Sequence, residues 1–193
     1  MEEIAKVAMK DPKKATNYLV TEVFNALINI IEADTTSLAA PTEKQIETRK
    51  QVIINELVKE EAKAKNVKLD DIKLPYSLTK EEMVVAAQLS PMEQAERNKE
   101  YSLYTIAILS KLYVDDVKAH TGNTVPLTDL PGISEVVDTL RHNPNPSIKI
   151  AAIDALRCIK REEYKEELTS IFNIAANDKN PAVAKVAMNA LNN

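Results

Sequence analysis

Only two glycines, Gly122 and Gly132, occur in this chain of 193 residues. A phosphate-binding loop and a dinucleotide-binding loop each need several closely spaced glycines, and two glycines ten residues apart cannot supply either pattern. Folds rich in β-structure also use glycine in their turns and bulges. The sequence therefore predicts an all-α fold and argues against these two classes of nucleotide-binding protein.

The charge balance and the cysteine count narrow the possible functions further. The 25 basic residues are scattered among 29 acidic ones, and the net charge is -4, so we expect no nucleic-acid partner. The most apolar stretch, residues 18–31, is too short and too polar to cross a membrane. Cys158 is the single cysteine, which excludes an internal disulfide. Since the opening Met1-Glu2-Glu3 has no basic segment typical of a signal peptide, we expect a cytoplasmic protein.

Helix-start signals recur along the chain. Asp11 followed by Pro12 is one of them, and three capping boxes are formed by Thr42 with Gln45, Thr79 with Glu82, and Ser90 with Glu93. Together with the apolar spacing they predict helices near 12–32, 43–65, 79–89, 91–120, 132–142, 146–160, 163–176 and 181–191.

Two of the predicted helices have informative apolar patterns. In the helix over 43–65, Ile46, Ile53, Leu57 and Val58 lie on one side, and most other positions are charged, which indicates a solvated face. In the helix over 91–120, apolar residues cover much of the circumference, which predicts a central helix with neighbours on several sides.

The C-terminal third contains an internal repeat with a 35-residue offset. Each copy has an amphipathic helix, a polar turn, an asparagine N-cap, a proline at the first helical position and an alanine-rich second helix. The matched positions include Ile133 with Leu168, Asn145-Pro146 with Asn180-Pro181, Ile148 with Val183, Ala152 with Ala187, and Ala155-Leu156 with Ala190-Leu191. A period of this length is typical of an α-solenoid.

The repeat resembles the HEAT family of helical repeats, including its shorter bilin-lyase type. The family pattern is matched by Asn143, Pro146, Ile148, Lys149, Ala152, Ala155 and Leu156, and again by Asp178, Pro181, Val183, Ala187, Ala190 and Leu191. Ala184 departs from it, because the family usually has a basic residue there that links one repeat to the next. The resemblance implies two HEAT-like repeats, 131–160 and 163–193. Because no 35-residue register extends upstream of residue 131, we expect the region over 1–121 to be irregular, helical and packed on these repeats. The short match between residues 4–9 and 183–188 leaves open whether the first region contains degenerate repeats.

No group of residues points to catalysis or to metal binding. His120 and Asp116 lie four apart and are best explained as the end of a capped helix. Cys158 has basic neighbours in the sequence, but a single cysteine in a helix is usually a packed or incidental residue. We therefore expect no catalytic residue, no metal and no cofactor.

The outward positions of the repeat helices are the candidates for binding another protein. They are Ile150, Asp154, Arg157, Lys185, Val186, Met188 and Asn189. The expected function is a non-enzymatic interaction or scaffold module that binds a protein partner or associates with itself through the edge of the last repeat. The alternatives are an accessory enzyme subunit of the bilin-lyase type and a structural subunit of a larger assembly.

Overall fold

The computed structural model describes residues 22–68 and 71–192, and this part of the chain contains only helices, turns and loops, with no strand. Its α-helices are α1 (Phe24–Glu32), α2 (Glu43–Ala64), α3 (Lys80–Ala87), α4 (Pro91–Thr121), α5 (Ile133–His142), α6 (Pro146–Cys158), α7 (Lys165–Ala175) and α8 (Pro181–Asn192). The all-α prediction is confirmed for these residues. The predicted helix start at Asp11 and the segment 4–9 lie outside the described residues.

The predicted capping boxes start α2, α3 and α4. The hydroxyl of Thr42 accepts the backbone N–H of Gln45 at 3.2 Å, and the Gln45 side chain accepts the N–H of Thr42 at 2.8 Å. The same reciprocal pair of bonds joins Thr79 to Glu82, and Ser90 to Glu93. These bonds satisfy N–H groups that the first helical turn leaves without partners, which explains why the helix starts could be predicted from sequence.

The chain forms two compact units. Of the described residues, 22–34 and 96–192 belong to the first unit, and 35–68 and 71–95 belong to the second.

The first unit contains the hydrophobic core. Its fully covered side chains include Leu103 and Ile106 of α4, Ile153 and Leu156 of α6, and Phe172 of α7. The other side of α4 is open, because Ile108 and Leu112 are each 54% exposed. The prediction that α4 has neighbours on several sides is thus wrong for this face.

The second unit is built around α2 and α3, which pack against each other. The side of α2 that is buried is polar: Thr48 and Asn55 are only 6% exposed. Asn55 donates to the backbone carbonyl of Tyr76 at 2.9 Å and accepts the Tyr76 N–H at 3.2 Å, so it fixes the connector after α2. Ile46, Ile53 and Leu57 lie on the outer side and are 40%, 57% and 58% exposed, whereas Val58, which the apolar pattern places on the same side, is half-buried. The apolar side of α2 therefore faces solvent, contrary to the simple expectation from its pattern.

Arg49 of α2 joins three segments of the second unit. Its guanidinium pairs with the carboxylate of Glu93 and donates to the backbone carbonyls of Ala86, at 2.9 Å, and Gln88. The hydrogen bond from Arg49 is the main reason that the pKa of Glu93 falls from 4.5 to about 2, and the N–H of Ser90 contributes to the same effect. The side chains of Arg49 and Glu93 are about one quarter exposed, so water screens the pair only in part.

Gly132 is the residue at which close packing and backbone conformation both require glycine. It precedes α5 with a left-handed φ of 75°. A Cβ atom at this position would lie 3.0 Å from Ile106 Cγ2 and 3.2 Å from Phe24 Cδ1, both buried. Gly132 therefore lets the start of the first hairpin lie directly on the core.

We expect Gly132→Ala to destabilise the protein more than Gly122→Ala. Gly122 has a similar φ of 71°, but a Cβ there would meet nothing within 4 Å. Both variants incur the cost of a left-handed alanine, about 1–2 kcal/mol, and Gly132→Ala adds an overpacking cost of about 1–3 kcal/mol. Urea unfolding of the two variants measures this difference. Equal losses of free energy of unfolding would show that the side chains around Gly132 rearrange to accommodate the added Cβ atom.

We expect the Arg49–Glu93 pair to make the free energy of unfolding fall as the pH is lowered into the acidic range. Because the pKa of Glu93 is lowered on folding, its contribution is complete above the ordinary value of 4.5 and is lost as the pH falls towards about 2. Glu93→Gln should reduce the free energy of unfolding by about 2 kcal/mol at neutral pH.

The measurement is urea unfolding of wild type and Glu93→Gln at a series of pH values. The difference in free energy of unfolding between the two proteins should shrink as the pH falls from 4.5 towards about 2. Glu81→Gln, at an exposed position in α3, should stay close to wild type at every pH. A difference that does not change with pH would contradict the assignment.

Candidate interaction surface

The two C-terminal hairpins use the same turn at positions 35 residues apart. In the first, Asn143 accepts the N–H of Asn145 at 2.9 Å; in the second, Asp178 accepts the N–H of Asn180 at 2.8 Å. The next helix is then capped in the same way, since Asn145 accepts from Ser147 and Asn180 accepts from Ala182, both at 2.9 Å. The predicted asparagine N-caps are therefore present in both copies.

The alanine-rich helices α6 and α8 pack against each other, as do α5 and α7. Ala152, Ala155 and Ala187 are fully covered, and Ala190 is 1% exposed. Because alanine has no side chain beyond Cβ, it allows two helices to approach closely. The burial predicted for this alanine strip is confirmed.

An ion pair links the first hairpin to the second. Lys149 Nζ lies 2.7 Å from Asp178 Oδ2, and the two side chains are only 15% and 16% exposed. The hydrogen bond from Lys149, followed by the one from the Asn180 N–H, lowers the pKa of the Asp178 carboxyl. The residue equivalent to Lys149 in the second hairpin is Ala184, which cannot form such a pair.

The three candidate residues on α6 differ in exposure. Ile150 is half-buried and packs against the core. Asp154 is half-buried; it accepts from Arg157 at 3.0 Å and from the Tyr104 hydroxyl at 3.5 Å. Arg157 is exposed, so it is the α6 candidate most open to a partner.

The four candidate residues on α8 do not share one face. Lys185 and Asn189 are exposed and occupy the positions equivalent to Ile150 and Asp154. Val186 is half-buried against the core, whereas Met188 is 51% exposed. Residues two apart on a helix point to different sides, so Val186 and Met188 do not form a continuous apolar edge.

An open cavity of about 470 Å³ lies between α4, α6 and α8. It brings two of the candidates together with a tyrosine, a cysteine and a lysine that are distant in sequence. The lining residues are Tyr104, Asp154, Arg157, Cys158, Lys160 and Ala190. The pKa of Tyr104 is raised, mainly by burial and then by the negative charge of Asp154.

A second cavity, of about 430 Å³, was missed by the sequence analysis. It lies between α5 and α7, and its apolar lining includes Ile133, Val137 and Ile171. The sequence contains no signal for it, because Val136 and Ile171 are equivalent apolar positions. Only the structure shows that Val136 is fully covered whereas Ile171 is half-buried.

Within residues 22–68 and 71–192, no cluster of His, Cys, Asp or Glu side chains has a metal-binding arrangement. No helix in this part of the chain has the length and apolar character needed to cross a membrane. Comparisons of the chain with protein-family models, curated proteins and solved structures find no match.

We expect Lys149→Met to reduce the free energy of unfolding by about 1–3 kcal/mol, because it leaves the largely buried Asp178 carboxylate without its cation. Lys185→Met removes a lysine from an exposed position and should change stability by less than about 0.5 kcal/mol. Since pairing lowers the pKa of Asp178, the loss caused by Lys149→Met should diminish as the pH falls below 3.8. Urea unfolding measures both effects, and similar losses in the two variants would argue against a structural ion pair.

Proposed function

We propose that the two C-terminal hairpins form a HEAT-like, α-solenoid type of unit, and that this cytoplasmic protein binds another protein without catalysing a reaction. The proposal is supported by the shared turns and by the Lys149–Asp178 pair, which occupies the positions of the family's basic and acidic residues. A repeat unit of this kind presents the outer sides of neighbouring helices as a binding surface.

The observation that carries the proposal is the set of polar outward positions on the adjacent helices α6 and α8. Arg157, Lys185 and Asn189 are exposed. Asp154, which occupies the position equivalent to Asn189 in the first repeat, is half-buried. An exposed arginine on such a surface can anchor a partner by bidentate hydrogen bonds and by stacking. These residues make a surface suited to a protein that carries acidic and amide groups.

The test is capture of partners from the native source by the tagged full-length chain, followed by mass spectrometry. We expect a specific partner to be recovered by wild type and to be reduced about tenfold, which corresponds to about 1.4 kcal/mol, by the variant Arg157→Glu/Lys185→Glu. The matched control, Lys68→Glu/Lys80→Glu, makes the same charge change at exposed positions of the other unit. Equal recovery by all three proteins would contradict this binding surface.

The cavity between α4, α6 and α8 favours a second candidate function. A bilin-lyase-like accessory protein needs an open cavity that offers arginine and aromatic side chains to a linear tetrapyrrole, and Tyr104 and Arg157 provide both. Titration with biliverdin, followed by visible absorbance in wild type and in Arg157→Ala, separates this function from protein binding. An unchanged spectrum at saturating biliverdin would reject it.

A further inference from the structure

The outer side of α2 carries three large apolar side chains that the described chain leaves exposed. Ile46, Ile53 and Leu57 follow one another at intervals of seven and four residues, which places them along one side of a helix. Their exposed fractions are 40%, 57% and 58%. We define the α2 seam as this side of the helix; its residues are Ile46, Lys50, Ile53, Leu57, Glu60 and Ala64.

The spacing within the α2 seam is that of a coiled coil. The intervals alternate between four and three residues from Ile46 to Ala64, and this 3.5-residue repeat keeps one helix face turned towards a partner helix. A helix side with apolar residues at such positions can pair with another helix, and the charges within the seam decide which pairing is favourable.

We propose that the α2 seam binds the same seam of a second copy of this chain, with the two helices antiparallel. In that arrangement Ile53 lies opposite Leu57 of the second copy, and Ile46 lies opposite Ala64 of the second copy. Lys50 then lies opposite Glu60 of the second copy, and the symmetry of the dimer repeats each contact. The seam is thus complementary to itself in charge.

The parallel arrangement is disfavoured by the same two charges. It would place Lys50 against Lys50 of the second copy, and Glu60 against Glu60 of the second copy, within the contact. Like charges that face each other in a coiled coil work against pairing. Antiparallel pairing replaces both repulsive contacts by attractive ones.

One flank of the seam extends the antiparallel contact, whereas the other brings like charges together. On one flank, Ile54, which is 38% exposed, would meet Ile54 of the second copy and extend the apolar contact. On the same flank Glu47 approaches Glu61 of the second copy, but each already has a lysine nearby within its own helix. Lys50 lies 3.9 Å from Glu47, and Lys65 lies 2.6 Å from Glu61.

On the other flank, Glu56 would face Glu56 of the second copy and Arg49 would approach Lys63 of the second copy. However, Glu56 already lies 2.8 Å from Lys59, and Arg49 is paired with Glu93.

The burial pattern of the second unit gives a reason why covering this seam would stabilise the protein. Among residues 35–68 and 71–95, no apolar residue is buried, whereas the polar residues Thr48, Asn55 and Ser90 are only 4–6% exposed. The unit therefore leaves much of its apolar surface in water, and contact between two copies would remove part of it.

The test uses the full-length chain and measures its mass in solution by sedimentation and light scattering. We expect a dimer. Lys50→Glu and Glu60→Lys should each weaken dimerisation about tenfold, and the double variant Lys50→Glu/Glu60→Lys should restore it, since the pair is then merely exchanged. Lys44→Glu, on the side of α2 away from the seam, is the matched control and should leave the dimer intact, and circular dichroism checks that every variant folds.

Cysteine crosslinking tests the direction of the helices. In a Cys158→Ser background, an oxidised mixture of Ile53→Cys and Leu57→Cys should give a disulfide between the two different variants. Self-crosslinking of Ile53→Cys with itself would instead indicate parallel helices and overturn the antiparallel arrangement. A chain that is monomeric at every concentration at which it is soluble, or a dimer unaffected by Lys50→Glu and Glu60→Lys, would overturn the proposal. A dimer lost only in Met188→Lys would assign self-association to the last repeat instead.

Discussion

The contact between the alanine strips of α6 and α8 determines the arrangement of the C-terminal half of the first unit. Ala152 and Ala187 are fully covered, and this close approach leaves no room for larger side chains. Alanine contacts alone allow one helix to slide along another, because small side chains interlock poorly. The Lys149–Asp178 pair opposes such sliding, since it fixes one residue of the first hairpin to the turn of the second. Once the second helices are fixed, α5 and α7 are brought together on the other side of the hairpins.

The second unit is held together by a different kind of interaction. Arg49 and Asn55 form directional hydrogen bonds to Glu93, to backbone carbonyls and to Tyr76, whereas fully buried apolar side chains are absent from residues 35–68 and 71–95. Hydrogen bonds fix geometry but contribute little net free energy, because water offers the same groups competing partners. The hydrogen bonds therefore define the geometry of the unit, but burial of apolar side chains contributes little to its folding. A contact that covered the exposed side of α2 would add to its free energy of unfolding.

Local chemistry explains which parts of the structure could be predicted from the sequence. The starts of α2, α3 and α4 followed from capping boxes, and the buried alanine strip followed from its spacing, because both depend on residues close together in the chain. The exposed sides of α2 and α4 could not be predicted in this way. Periodicity shows that Ile46, Ile53 and Leu57 share a side, but only tertiary packing decides whether that side is covered. Here the connector that contains Tyr76 packs on the opposite, polar side of α2, where Asn55 donates a hydrogen bond to the backbone carbonyl of Tyr76. The cavity beside Arg157 likewise required residues from three helices.

The two proposed binding surfaces differ in their symmetry. Between the repeats, the alanine positions of the helix contact keep the same residue, as in Ala152 with Ala187 and Ala155 with Ala190. The outward positions change in charge: Ile150, Asp154 and Arg157 are replaced in the second repeat by Lys185, Asn189 and Asn192. A ligand that spans both repeats must therefore contact two chemically different halves, which favours an asymmetric partner. The α2 seam has the opposite property, because it presents complementary groups when it is reversed, and this favours a second copy of the same chain.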